Sequence, residues 1–221
     1  MELEPLAGVD LMRRRGATRT LFIYFTSLQL DWDQNSLPWR FDFVNTAIKY
    51  NQNAIFVRDR SNLWYQYGLP HVAQNVVGLA KIIKDETRSF DRIVCIGPSM
   101  GGYAALLFGH LLEADLAFGI SPQIRIGRTY SQELSDPRFE AWYAPLESGS
   151  PTPQFFALDQ VLPVEGYVRY HVIVGSDAWV DHQHANLISS RPDFKLIQAE
   201  NCGHNDVGAW CLNHNLFFDI D

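Results

Sequence analysis

Hydrophobic and polar positions alternate between two periods along this chain. Short β-branched and aromatic runs recur at Thr20–Phe25, Asn53–Val57, Ile93–Ile96, Leu116–Ile120, Val168–Val174 and Phe194–Gln198, the signature of strands covered on both faces. Between them lie stretches with helical spacing. Residues 71–85 carry Val72, Val76, Leu79, Ile82 and Ile83 along one face. Residues 43–50, 103–113, 182–189 and 206–218 also read as helices. Residues 1–17 have no clear period and read as a surface lead-in. A polar, Trp-containing loop is expected at 31–40.

Strands that alternate with helices predict βαβ units with right-handed crossovers. The fold class expected is therefore α/β: a mostly parallel central sheet with helices on both faces, in three layers. Residues 123–163 break the rhythm with Pro137, Pro145, Pro151, Pro153 and Pro163. They are expected to form an excursion over one end of the sheet, within a single domain spanning 1–221. Sheets of this kind bind ligands at the carboxyl ends of their strands.

Composition narrows the class of protein. Hydrophobic residues make up 47% and charged residues 19% of the 221, which suits a globular chain with a sizeable core. A net charge of −7 argues against nucleic acid or an anionic membrane surface as the main partner. Cys95, Cys202 and Cys211 show no C-x-x-C spacing and are expected to be reduced thiols of a cytoplasmic protein. Residues 1–15 lack the apolar stretch of a signal peptide. No apolar run approaches the ~18 residues needed to span a bilayer.

The candidate chemistry lies at Gly97-Pro98-Ser99-Met100-Gly101, directly after one predicted strand and directly before a helix. That context is what a G-x-S-x-G nucleophile elbow requires. Glycines on either side relieve the collision of strand with helix, and the strained serine is lifted clear of the sheet. A serine hydroxyl needs a base, and the base needs an orienting acid. Of seven histidines, His204 follows the last strand and so lies at the same sheet edge as Ser99. The strand ending in Gly175-Ser176-Asp177 brings Asp177 to that edge too. Asp177 is favoured as the acid over Asp181, its competitor in the same loop. The backbone N–H of Met100 is the first expected oxyanion donor, and Ser27, with Thr26 next, the second. Trp64 and Tyr65 lie in a loop that would line an apolar substrate pocket if it overhangs Ser99.

Other patterns carry less. His182 and His184 are spaced i,i+2 and do not share a helix face, so no metal site is expected. Gly101-Gly102 is followed by no Gly-Lys-Ser/Thr and is no phosphate loop.

With Gly97-Pro98-Ser99-Met100-Gly101-Gly102, Gly175-Ser176-Asp177 and Cys202-Gly203-His204 in view, the chain resembles the α/β-hydrolase superfamily from about residue 20 to 218. The resemblance implies a triad of Ser99, Asp177 and His204 acting through an acyl-enzyme, with no cofactor and a small-molecule ester or thioester as substrate. Two alternatives stay open: an acyltransferase using the same triad on a glycan or other alcohol, and a non-catalytic binding module. The early antiparallel strands of larger members are expected to be missing, and 123–163 stands where such enzymes often place a lid. The runs Phe25-Thr26-Ser27, Arg58-Asp59, Trp64-Tyr65, Ser99-Met100-Gly101-Gly102-Tyr103-Ala104-Ala105-Leu106 and Ser121-Pro122-Gln123 together are similar to a little-characterised bacterial branch found in part alongside surface-polysaccharide and glycosyltransferase proteins.

Overall fold

A computed structural model of the chain describes residues 3–29 and 41–217; the Trp-containing loop expected at 31–40 lies outside the described residues. The strands are β1 (Glu4–Pro5), β2 (Leu11–Arg14), β3 (Thr20–Phe25), β4 (Asn53–Val57), β5 (Arg92–Pro98), β6 (Leu116–Ile120), β7 (Arg169–Gly175) and β8 (Phe194–Ala199). They form one sheet in the order β1-β2-β4-β3-β5-β6-β7-β8. From β4 to β8 every neighbouring pair is parallel. The helices are α1 (Val44–Lys49), α2 (Val76–Thr87), α3 (Met100–Leu112), α4 (Arg128–Glu133), α5 (Glu140–Glu147), α6 (Leu158–Val161), α7 (Trp179–Asn186) and α8 (Val207–Asn213). The fold is the expected one, α/β with a mostly parallel sheet.

The period of two along each strand divides the core. Ile23, Phe25, Cys95 and Val174 face one way and pack with α2 and α3. Tyr24, Phe56, Ile96 and Ile173 face the other, packing with Ala47 of α1 and with Val207 and Cys211 of α8. All three cysteines are buried free thiols. Among the described residues no helix is long and apolar enough to cross a membrane.

The lead-in differs from expectation. β1 and β2 exist, and both of their pairings are antiparallel. Leu11 and Met12 are fully buried. Arg14 is buried as well, because its guanidinium donates to the carbonyl of Gln52 and the side chain of Asn51. Four residues, two of them arginine, show no readable alternation; the register comes from the neighbouring strand β4.

The excursion is built from α4, α5, α6 and two 3-10 turns, Pro137–Phe139 and Pro153–Phe155. Phe139, Tyr143, Leu146 and Leu158 anchor it in the same core as α3. The chain also crosses itself closely at the carboxyl edge of the sheet. A Cβ on Gly97 would lie 2.2 Å from the carbonyl oxygen of Gly101, and one on Gly101 would lie 2.2 Å from that of Phe25. Only glycine permits those approaches.

Candidate active site

Ser99 links β5 to α3 with φ 51° and ψ −118°. A non-glycine residue is held there only when its surroundings over-determine it. Here its N–H donates to the Ile120 carbonyl at 2.7 Å, and its carbonyl takes the N–H of Tyr103 in the first turn of α3. The side chain is thereby turned toward a cavity of about 480 Å3, lined by Phe41, Val44, Ile120 and Leu212 together with Ser99 and His204. Asp42 and Asn205 are polar groups on its wall.

Three side chains meet in line: Ser99 from the turn before α3, His204 from the loop after β8 and Asp181 from the first turn of the helix α7. His204 Nε2 lies 3.0 Å from Ser99 Oγ, and its Nδ1 lies 2.7 Å from Asp181 Oδ2. The carboxylate draws the imidazole proton to Nδ1 and leaves Nε2 bare to accept from the serine. Asp181 is fully buried. Burial by itself would raise its carboxyl, but the His204 hydrogen bond and the nearby Arg138 charge overcome that and hold it below the usual carboxylate range.

The acid against His204 is therefore Asp181, and Asp177 is corrected. Asp177 is exposed. Its N–H is tied to the Cys202 carbonyl and its carboxylate accepts from the hydroxyl of Ser176, its neighbour. The chain then enters α7 at Trp179, and the first turn of that helix swings Asp181 inward.

Two further expectations change. Trp64 and Tyr65 are fully buried and do not line the cavity. Both have positive φ, which turns them into the core: the Tyr65 hydroxyl donates to the Thr26 carbonyl, and the Trp64 ring packs against Phe139 and Tyr143. The backbone donors after β3 are also committed. Thr26 N–H donates to the Val57 carbonyl at 2.9 Å, and Ser27 N–H to Asp42 Oδ2 at 2.8 Å. Neither is free for an oxyanion in this arrangement. Met100 is the first residue of α3, where an N–H has no intrahelical partner.

Gln123 and Arg138 complete the site, and sequence reading missed both. The Trp64 indole, a donor only, gives its N–H to Gln123 Oε1 at 3.1 Å; the amide nitrogen of that side chain then lies 3.2 Å from Ser99 Oγ. Arg138 Nη1 lies 2.7 Å from Asp181 Oδ1 and 3.1 Å from His204 Nδ1. Gln123 follows Ser121-Pro122 at a strand end, a position that sheet topology could have flagged. Arg138 sits in the proline-rich excursion and leaves no such signal.

Among the described residues no cluster of His, Cys, Asp or Glu is suited to hold a metal ion. His182 bonds the Gly175 carbonyl, while His184 lies elsewhere, buried against Asp136.

No protein-family model matches this chain, and no curated protein does. Solved structures do. The capsule O-acetyltransferase of Neisseria meningitidis serogroup A superposes with a TM-score of 0.64 at 11% identity, over 93% of this chain and 89% of that one. An alpha/beta hydrolase enzyme from the metagenome of sediments from the lagoon of Mar Chica, Morocco, gives 0.57 at 16% identity over 98% of both chains. The esterase of the archaeon Pyrobaculum calidifontis gives 0.55 at 14%, over 93% of this chain and 76% of that one. With the sheet order and the elbow described above, the chain has the α/β-hydrolase fold.

Proposed function

We propose that this chain is a serine hydrolase that cleaves a carboxylic ester or thioester through an acyl-enzyme. The observation that carries the reading is the unbroken line from Ser99 Oγ to His204 Nε2 at 3.0 Å and from His204 Nδ1 to Asp181 at 2.7 Å, opening on a cavity. His204 takes the Ser99 proton as Oγ attacks the carbonyl carbon. Asp181 holds the ring and balances the imidazolium. The Met100 N–H, at the positive end of α3, stabilises the oxyanion. The Gln123 amide donates to Oγ and supports the charge that develops there. His204 then returns the proton to the leaving alcohol or thiol, and water repeats the sequence on the acyl-enzyme. No metal or organic cofactor enters these steps.

A fluorophosphonate probe tests this directly. Labelling confined to Ser99, with p-nitrophenyl acetate turnover lost in Ser99→Ala, is the expected result. Folded protein that takes up no label overturns the proposal.

A second reading has its own support. The capsule O-acetyltransferase gives a higher TM-score than the two hydrolases described above, and one of its structures, an H228A mutant, is a complex with CoA. An acyltransferase would use the same three residues, with an alcohol replacing water in the second half. Turnover in the presence of sugar acceptors separates the two, since only the transferase leaves an acylated acceptor.

A further inference from the structure

The excursion delivers one side chain, Arg138, into the middle of the site, and its guanidinium is bound on two sides. Nε and Nη2 take the two oxygens of Asp136, each at 2.8 Å, while Nη1 takes Asp181 Oδ1 at 2.7 Å. Both carboxylate side chains are essentially inaccessible, at 1% and 0% exposure. Asp136 is fixed in turn by His184. The Ile124 N–H donates to His184 Nδ1, so the ring proton lies on Nε2 and is donated to Asp136 Oδ2 at 3.1 Å. One row of groups thus runs His184, Asp136, Arg138, Asp181, His204, Ser99.

An exposed ion pair would contribute little. A guanidinium forked between two buried carboxylates has both its place and its charge prescribed. One effect follows at His204. Asp181 has one oxygen on Arg138 and the other on the imidazole, so its carboxylate cannot turn.

We propose that Arg138 is a positioning residue for Ser99, His204 and Asp181: it locks Asp181 against the imidazole ring. The proposal rests on the hydrolase reading given above.

Fork and charge can be separated by two variants, each compared with wild type per active site titrated by fluorophosphonate. Arg138→Lys keeps the cation and loses the fork; its kcat should fall about tenfold with KM within about twofold of wild type. Arg138→Gln loses both and should fall further, again in kcat and not in KM. A kcat per titrated site equal to wild type in Arg138→Gln overturns the proposal, because a merely structural arginine would change the amount of active protein and not the turnover of each site. If both variants fail to fold, Asp136→Asn loosens the far side of the guanidinium and keeps its charge. A lowered kcat per titrated site then supports the proposal, and a value equal to wild type overturns it. Wild-type protein that takes up no label overturns the hydrolase reading first, an outcome distinct from any of these.

Discussion

The indole of Trp64 decides which way the amide of Gln123 faces. Because the ring N–H can only donate, it claims Oε1 at 3.1 Å and leaves the NH2 group 3.2 Å from Ser99 Oγ. A tryptophan that never reaches the cavity thereby orients a donor on Ser99 Oγ.

Gln123→Leu is expected to keep the fold and lower kcat by about tenfold, the rate equivalent of one lost hydrogen bond of about 1.4 kcal/mol. Thermal or urea unfolding should show a loss of about 1–3 kcal/mol, since the Trp64 N–H is left buried without an acceptor. Unchanged kcat per titrated site would remove Gln123 from the chemistry.

The two aspartates that follow β7 are told apart by one comparison. Asp181→Asn should lower kcat by about 10⁴-fold, because an amide no longer secures the tautomer with the proton on Nδ1. Asp177→Asn, altering an exposed side chain bonded to Ser176, should stay within a few-fold of wild type. Equal losses in both variants would refute the assignment.

Gly101→Ala is expected to prevent folding or to destabilise severely. Its Cβ would stand 2.2 Å from a backbone oxygen of β3, and neither the strand nor α3 can yield. Gly208→Ala, where nothing lies within 4 Å of the added carbon, serves as the control. Expression and unfolding midpoints measure the difference.

Acid should unfold this protein through Asp136 and Asp181. Burial opposes ionisation of Asp136, yet Arg138 and His184 outweigh it and keep its carboxyl below the ordinary value; Asp181 is depressed in the same sense. A group whose folded value is depressed contributes stability above its unfolded value, and that contribution disappears as pH falls through the folded one. The melting temperature should therefore be insensitive to these groups near neutrality and drop below about pH 4. Asp136→Asn should flatten that drop. An equally steep acid transition in the variant would contradict this account.

What could be read in advance follows from how local each cause is. The elbow was legible because two glycines, a strand and a helix enforce it within a few residues. His204 was legible from its place after the last strand. Asp181 was misread because the choice between two aspartates depends on where α7 begins, and Ala178, Trp179 and Val180 do not announce a helix start. Trp64 and Tyr65 would line a pocket only if their loop overhung Ser99; here the buried side chain of Asp59 gathers the N–H groups of Ser61, Leu63 and Tyr65 and folds the loop inward. β2 escaped notice because its pairing is imposed by β4. Gln123 and Arg138 act through partners far along the chain, which no periodicity encodes.

The segment from Gln123 to Pro163 looks expendable on paper, a proline-studded detour between β6 and β7. Both the amide beside Ser99 Oγ and the guanidinium behind Asp181 arise within it. An engineer who trimmed it would remove both contacts, and grafting a foreign detour would succeed only if those two side chains, and the Asp136 that steadies one of them, travelled along.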